Sequence, residues 1–552
     1  MINVIMNLQR SPSGVIRGVA LLLFCIPFLV HAQEATILLT KPSINQNYTL
    51  TSRPRVAGMF TAADLSNRKT AELMQSIQYF DGLGRPLQTV SVSGSPLAYD
   101  LVSPVIYDSY GRVTTTLLPY TLTGSATNDG SYKAAALTAG VGQGQYYSAP
   151  PTGIVATSSP FSVATLEASP LNRVLEQGAE GVSWQPASSG LSGSGHTQKI
   201  VYSINNAITW ASDTAGSRQA ALFTVTINAD QSRTLVRTSG TAVYGAGQLT
   251  MTVSKDENWR SGRAGTNEVY TDKESHQVLR RVYTLSGSTL QQLSIYYVYD
   301  DLGNLSFVLP PGCAPDSGLP VQATLDNLGY QYQYDSRNRL VQKKLPGKGW
   351  EYKLYNTLDQ VVATQDANQR ANSQWIYTKY DALGRIVLSG LYSSTSTRPA
   401  LQSVVDGQTV FWETPVGTSS SNGGYTSAAW PTGAASFLTI NYYDTYTVAG
   451  LPGLYTAPSG SSLNTRSLLT ASQTNILGTT NMPWMVPYYD DLGRVIQSYL
   501  QHNQENGATL STGNYDVVKT KYNFSNQDTA TTRQHYNVAI STTAVALTVA
   551  NS

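Results

Sequence analysis

The chain has 552 residues, of which only 13 % are charged, with 36 Lys plus Arg against 34 Asp plus Glu. A main partner made of nucleic acid calls for a basic excess, so this balance argues against one. Tyr (35) far outnumbers Phe (10) and Gly (45) is abundant, as suits sheets with wet faces, where Tyr packs its ring and hydrates its hydroxyl.

Residues 1–32 read as an export signal. Arg10 and Arg17 precede an apolar run from Val19 to Val30, and Val30-His31-Ala32 is a small-residue cleavage pattern ahead of Gln33. Twelve apolar residues fall short of the roughly 20 a spanning helix needs, so no membrane span is expected after removal of the signal. Phe24 before Cys25 argues against a lipoprotein, whose lipid attachment wants a small residue there. Cleavage between Ala32 and Gln33 removes two arginines and leaves 34 cations against 34 acids. The mature protein is therefore expected outside the inner membrane, secreted or at the cell surface, with the periplasm an alternative. Cys313 is then the single thiol, without an internal disulfide partner or a nearby His to activate it, which makes it a partly buried structural residue.

Residues 33–165 form a first segment, with one short helix expected near 65–74. From Ser76 the segment turns to strands, down to Leu117-Leu118-Pro119-Tyr120. Gly140-Val141-Gly142-Gln143-Gly144 lacks the strand–helix surroundings of a phosphate loop. Residues 166–290 alternate polar and apolar residues, as in Phe223-Thr224-Val225-Thr226-Ile227, the mark of half-buried strands. A block at 291–392 carries crowded repeats, and 393–437, rich in Ser, Thr, Gly and Pro, reads as a surface excursion. Strands resume over 438–530, and 531–552 is a tail with no identifiable domain.

One hexamer organises this order. Tyr380-Asp381-Ala382-Leu383-Gly384-Arg385 returns as Tyr299-Asp300-Asp301-Leu302-Gly303-Asn304, as Tyr489-Asp490-Asp491-Leu492-Gly493-Arg494 and as Tyr107-Asp108-Ser109-Tyr110-Gly111-Arg112. Phe80-Asp81-Gly82-Leu83-Gly84-Arg85 is a near copy. Tyr334-Asp335-Ser336-Arg337-Asn338-Arg339, Tyr355-Asn356-Thr357-Leu358-Asp359-Gln360 and Tyr522-Asn523-Phe524-Ser525-Asn526-Gln527 are eroded ones. Aromatic and β-branched runs flank each, which predicts a β-hairpin. The Asp carboxylate nucleates an Asx-turn, and the Gly supplies positive φ. Where Gly is lost, Asn338 and Asp359 replace it, and where Asp is lost, Asn356 does. Substitution therefore follows turn chemistry. The Arg is placed to reach back to the Asp or to the Tyr face.

The hexamers resemble the YD-repeat (Rhs-repeat) family, whose signature is Tyr-Asp-x-x-Gly-Arg. The stretch from Arg53-Pro54-Arg55 through Phe80–Val90 to Leu118-Pro119-Tyr120 resembles the amino-terminal domain of unknown function that follows the signal peptide in secreted Rhs-type proteins of Gram-negative bacteria. The resemblance implies a mainly β fold, a repetitive antiparallel hairpin sheet forming part of a hollow shell. In some relatives such a shell encloses a carboxy-terminal toxin, and in others it belongs to a surface protein. The closing core element, rich in Asp-Pro, and the cargo have no match here. The chain is thus expected to be the amino-terminal part of a longer assembly, with its own missing carboxy-terminal region among its partners.

No catalytic, cofactor or metal constellation is read from the sequence. His196, His276, His502 and His535 are scattered without zinc-site spacing, and no Gly-x-Ser-x-Gly, Walker or His-Glu-x-x-His motif occurs. The repeated Asp residues sit at turns, too sparse in oxygen ligands for calcium loops. The expected function is that of an exported non-enzymatic scaffold. The alternative is a binding module for cell-surface polysaccharide or protein, suggested by Trp350, Trp375, Trp412, Trp430 and Trp484. A secreted hydrolase comes third, because glycosidase carboxylate pairs are recognised by separation in space.

Overall fold

The computed structural model describes residue 38 and residues 40–59, 61–122, 128–138, 140–417, 421–433, 436–503, 510–538 and 541–550, the last as backbone. The expected signal segment, with Ala32 and Gln33, lies outside these residues. The protein is mainly β. A five-stranded sheet takes the order Asn47–Pro54, Leu73–Phe80, Pro86–Ser91, Leu101–Pro104 and Tyr120–Thr121. Thr224–Ile227 pairs only with Arg233–Val236. All other described strands, 22 of them, form one antiparallel ladder ordered as a closed barrel. Paired registers follow it from Thr115–Leu117 to Ser541–Ala550.

Alternation explains the strands. In Leu73–Phe80, Leu73, Gln75, Ile77 and Tyr79 are buried while the residues between them are not, as a strand with one covered face requires. This period of two overrides the helix expected near 65–74. The chain makes one 3-10 turn at Ala62–Leu65, where Thr61 N donates to Asp64 Oδ2 at 2.8 Å, and enters the strand at Leu73. Short α-helices lie elsewhere, at Gly142–Ser148, Gln322–Leu328, Ala367–Ala371 and Arg398–Asp406.

Two other segments differ from the sequence reading. Within 393–437, Arg398–Asp406 and Trp430 pack back onto the ladder instead of standing off as a surface excursion. Leu401 and Val405, one helical turn apart, join Leu354, Val362, Ala363, Trp375 and Trp430 in one buried cluster. The tail carries strands Asp528–Asn537 and Ser541–Ala550, which continue the ladder.

Candidate functional site

The hexamers build one recurring turn device, most copies at hairpin ends of the ladder, that of Asp81 in the five-stranded sheet and that of Asp108 between the two. In Tyr299–Asn304, Gly303 N donates to Asp300 O at 2.9 Å and Asp300 N to Asn304 O at 2.9 Å. The pairing slips between Val298 and Tyr299, as in a tight turn closed by a bulge. The Asp300 carboxylate accepts from Leu302 N and Asn304 N. The same contacts recur at Asp81, Asp108, Asp335, Asp381 and Asp490, and the Asn356 side-chain oxygen makes them at its own turn. At the fifth position φ is +77° for Gly84 and Gly111, +79° for Gly303, +59° for Asn338, +62° for Asp359, +78° for Gly384 and +75° for Gly493.

The sixth residue binds back to its own turn and forward to the next hairpin. Arg385 Nε donates to Asp381 Oδ2 at 2.6 Å, and its other nitrogens reach Asp444 at 2.9 and 2.6 Å. Its guanidinium also lies 4.4 Å from the centre of the Tyr443 ring. Arg85 covers Tyr107, Arg339 covers Tyr355 and Arg494 covers Tyr522 in the same way, at 4.6, 4.9 and 4.8 Å. For these four the Tyr face is that of the following repeat, whereas Arg112 covers Tyr110 of its own turn at 4.9 Å.

The hexamer Tyr completes the link, donating its hydroxyl to the carbonyl just after the preceding turn. Tyr107 bonds Pro86 O at 2.9 Å, Tyr334 bonds Leu305 O at 2.8 Å, Tyr355 bonds Leu340 O at 2.9 Å and Tyr380 bonds Val361 O at 2.7 Å. Tyr443, Tyr489 and Tyr522 bond Ile386, Leu469 and Val495 alike. Burial pushes the Tyr334 hydroxyl up to about 12, so it stays protonated and donates. Each neutral bond of this kind contributes about 1 kcal/mol net, and each exposed cation–π contact roughly 0.5–1 kcal/mol.

Two members of this series escape the motif. Thr271-Asp272-Lys273-Glu274-Ser275-His276 forms the same turn, with Ser275 at φ +70° and Asp272 N donating to His276 O at 3.0 Å. His276 stacks on Tyr299 at 4.5 Å in place of Arg, and Tyr299 bonds Gln277 O. At Tyr443-Asp444 the turn has grown into a long insert that returns at Leu468, whose carbonyl accepts from Asp444 N at 3.1 Å. Where Asn304 stands for Arg, Arg233 arrives from the separate two-stranded hairpin. It pairs with Asp300 at 3.0 Å, both side chains wholly buried, and lies over Tyr334 at 5.5 Å. Sequence spacing gives no sign of Arg233, because the contact spans 67 residues.

Replacing Gly493 tests the turn without steric interference, since a Cβ there meets nothing within 4 Å. Gly493→Val is expected to cost roughly 1–3 kcal/mol from positive φ alone, and Gly493→Asn much less, as Asn338 and Asn526 already hold such angles. Asp490→Ala is expected to cost about 1 kcal/mol, by analogy with a lost helix cap. Burial raises the Asp490 pKa, but hydrogen bonds from Arg494 and Leu492 outweigh it and hold the carboxyl below its ordinary value. Its contribution is therefore full above about pH 4 and disappears as pH falls through the depressed value. Thermal unfolding of wild type and Asp490→Ala at pH 7 and pH 2.5 should show the gap narrowing in acid.

The aromatic candidates form no exposed face. Trp375, Trp430 and Trp484 are buried, while Trp412 is 43 % exposed. Half-buried Trp350 edges a groove of about 670 Å3, lined also by Thr234, Asp326, Gln331, Gln333 and Lys344. Cys313 is buried. No helix among the described residues is long and apolar enough to cross a membrane.

Comparison with known proteins bears on the first third of the chain. Residues 52–198 match the family described as a domain of unknown function, DUF6443. No curated protein matches the chain. Similar solved structures include a TcdB2-TccC3 crystal structure, 12 % identical over 84 % of this chain and 20 % of that one, TM-score 0.35. Others are TcdB2-TccC3-TEV, 11 % identical over 92 % and 22 %, TM-score 0.38, and a Photorhabdus luminescens Tc holotoxin pore with a TccC3 mutation, 12 % identical over 89 % and 20 %, TM-score 0.36. The chain spans about a fifth of the length of these matched chains.

Proposed function

We propose that the protein is an exported, non-enzymatic YD-repeat scaffold, the amino-terminal part of an Rhs-type shell or surface protein. The observation that carries this reading is the recurring link between turns, in which the hexamer Tyr bonds the preceding turn and, at Arg85, Arg339, Arg385 and Arg494, the Arg covers the following Tyr. These contacts occupy the repeated Asp and Arg side chains that a catalytic reading would draw on. The purified protein, screened against glycan, peptide and ester substrates, should show no saturable turnover. A turnover abolished by one substitution that leaves the melting temperature unchanged would overturn the reading.

Export is tested separately. Secreted or periplasmic material should begin at Gln33 by mass spectrometry, and folded cytoplasmic protein retaining Met1 would refute it.

The groove beside Trp350 favours a second reading, the binding of surface polysaccharide. An aromatic edge beside the amides of Gln331 and Gln333 suits sugar hydroxyls and their apolar faces. On a glycan array, Trp350→Ala should weaken any captured glycan at least tenfold. Unchanged capture would remove this reading and leave the scaffold intact.

A further inference from the structure

Three adjacent strands near the end of the ladder bring together residues that lie far apart in sequence. His502 follows Val495–Gln501, Asp516 belongs to Tyr515–Tyr522, and His535 belongs to Asp528–Asn537. Asp516 and His535 are direct cross-strand partners, and His502 N donates to Asn514 O at 3.0 Å. The imidazole rings of His502 and His535 stack at 4.6 Å with 9° between their planes. One ligand atom from each of the three residues lies within 4.8 Å of the other two. Two of the four histidines beyond the expected signal thus converge on one buried carboxylate.

The bonds around the cluster suit ligation. His502 Nε2 bonds the carbonyl of Tyr536 at 3.1 Å; a carbonyl only accepts, so the proton sits on Nε2 and Nδ1 keeps its lone pair. His535 Nδ1 bonds Asp516 Oδ1 at 2.7 Å. Arg533 holds the other carboxylate oxygen, its Nε at 3.1 Å and a second nitrogen closer. Such outer contacts orient a ligand and sharpen a metal site.

We propose that His502, Asp516 and His535 form a binding site for one divalent transition-metal ion, with Zn2+ the best match. Two imidazoles and one carboxylate suit zinc, cobalt, nickel and copper, whereas calcium and magnesium take oxygen ligands. Bonds of about 2.0–2.2 Å place ligand atoms roughly 3.5 Å apart, so the half-buried histidine rings close in by about 1 Å. The side chain of His535 is 44 % exposed, which leaves a fourth position to solvent. The ion would clamp three neighbouring strands where the ladder nears its last pair.

The test is calorimetric titration of the full chain, free of added histidines, with ZnCl2 alone. One saturable site per chain is expected. His502→Ala and His535→Ala should each weaken it at least tenfold, while His196→Ala, on a ring packed against Trp184, should leave it unchanged. Absence of a saturable site in the wild type, or full affinity in the His502→Ala/His535→Ala double variant, overturns the proposal. If a variant fails to fold, electron paramagnetic resonance of the wild type loaded with one equivalent of Cu2+ decides. Hyperfine structure from two imidazole nitrogens supports the site, and from one or none overturns it.

Discussion

Lys379→Ala should lower stability by about 3–5 kcal/mol, read from the midpoint of denaturant unfolding. Lys379 Nζ meets Glu413 Oε1 at 2.7 Å with both side chains almost wholly buried. The Glu413 carboxylate also accepts from Thr426 Oγ1 at 2.6 Å, Ala428 N at 3.0 Å and Ala429 N at 3.2 Å. Removing the lysine strands a charge out of water, and desolvating an unpaired ion costs more than the pair itself is worth. The double variant Lys379→Met/Glu413→Gln should therefore be less damaged than Lys379→Ala. Equal midpoints for the two would show that the lost pairing is not what destabilises the single variant. Because Glu413 ties the Thr426 hydroxyl and the backbone of Ala428 and Ala429 to the strand Gln374–Tyr380, the single variant should also expose this segment to protease before the rest of the ladder.

That pair shows why the composition of 393–437 does not reveal its packing. Its composition is that of a loop, and the residues that bury it are few and spread out. Leu401, Val405, Glu413 and Trp430 each have partners far away in the chain, and a lone Glu among Thr and Pro gives no sign of a buried lysine. The hexamers were legible for the opposite reason. Asp381 bonds residues two and four positions on, and the angle at Gly384 is fixed by its own neighbours, so the chemistry is complete within six residues. The links between turns sit between these extremes. The back-contact of Arg385 to Asp381 is local, whereas its cover of Tyr443 spans a whole insert. Asp272–His276 was missed because Ser275 occupies the left-handed position and His276 replaces Arg, so the letters change while the geometry holds. His502 and His535 illustrate the limit, since 33 residues separate them and only the pairing of Tyr515–Tyr522 with both Val495–Gln501 and Asp528–Asn537 sets one ring upon the other.

Trp375→Ala is expected to cost about 3–5 kcal/mol, the range for emptying a large aromatic site. Its side chain is wholly buried among Leu354, Val362, Leu401, Val405 and Trp430, so the cavity would open where the 398–406 helix meets the ladder. Trp375→Phe should behave differently. The indole Nε1 is buried with no hydrogen-bond partner among the described residues, and such a donor carries a desolvation penalty of roughly 1–3 kcal/mol. Phe loses part of the packing volume but also removes that N–H, so the two effects offset and the net loss should stay below about 1.5 kcal/mol. Unfolding midpoints for wild type, Phe and Ala at this position measure both terms. If Phe is as harmful as Ala, the indole nitrogen has a partner in solution, such as an ordered water. If both substitutions are silent, the cluster that joins helix to sheet is not a core, and residues 393–437 are only loosely held on the ladder. With its side chain wholly buried, Trp375 lies too deep to stack on a sugar, so a polysaccharide reading must rest on the groove edged by Trp350.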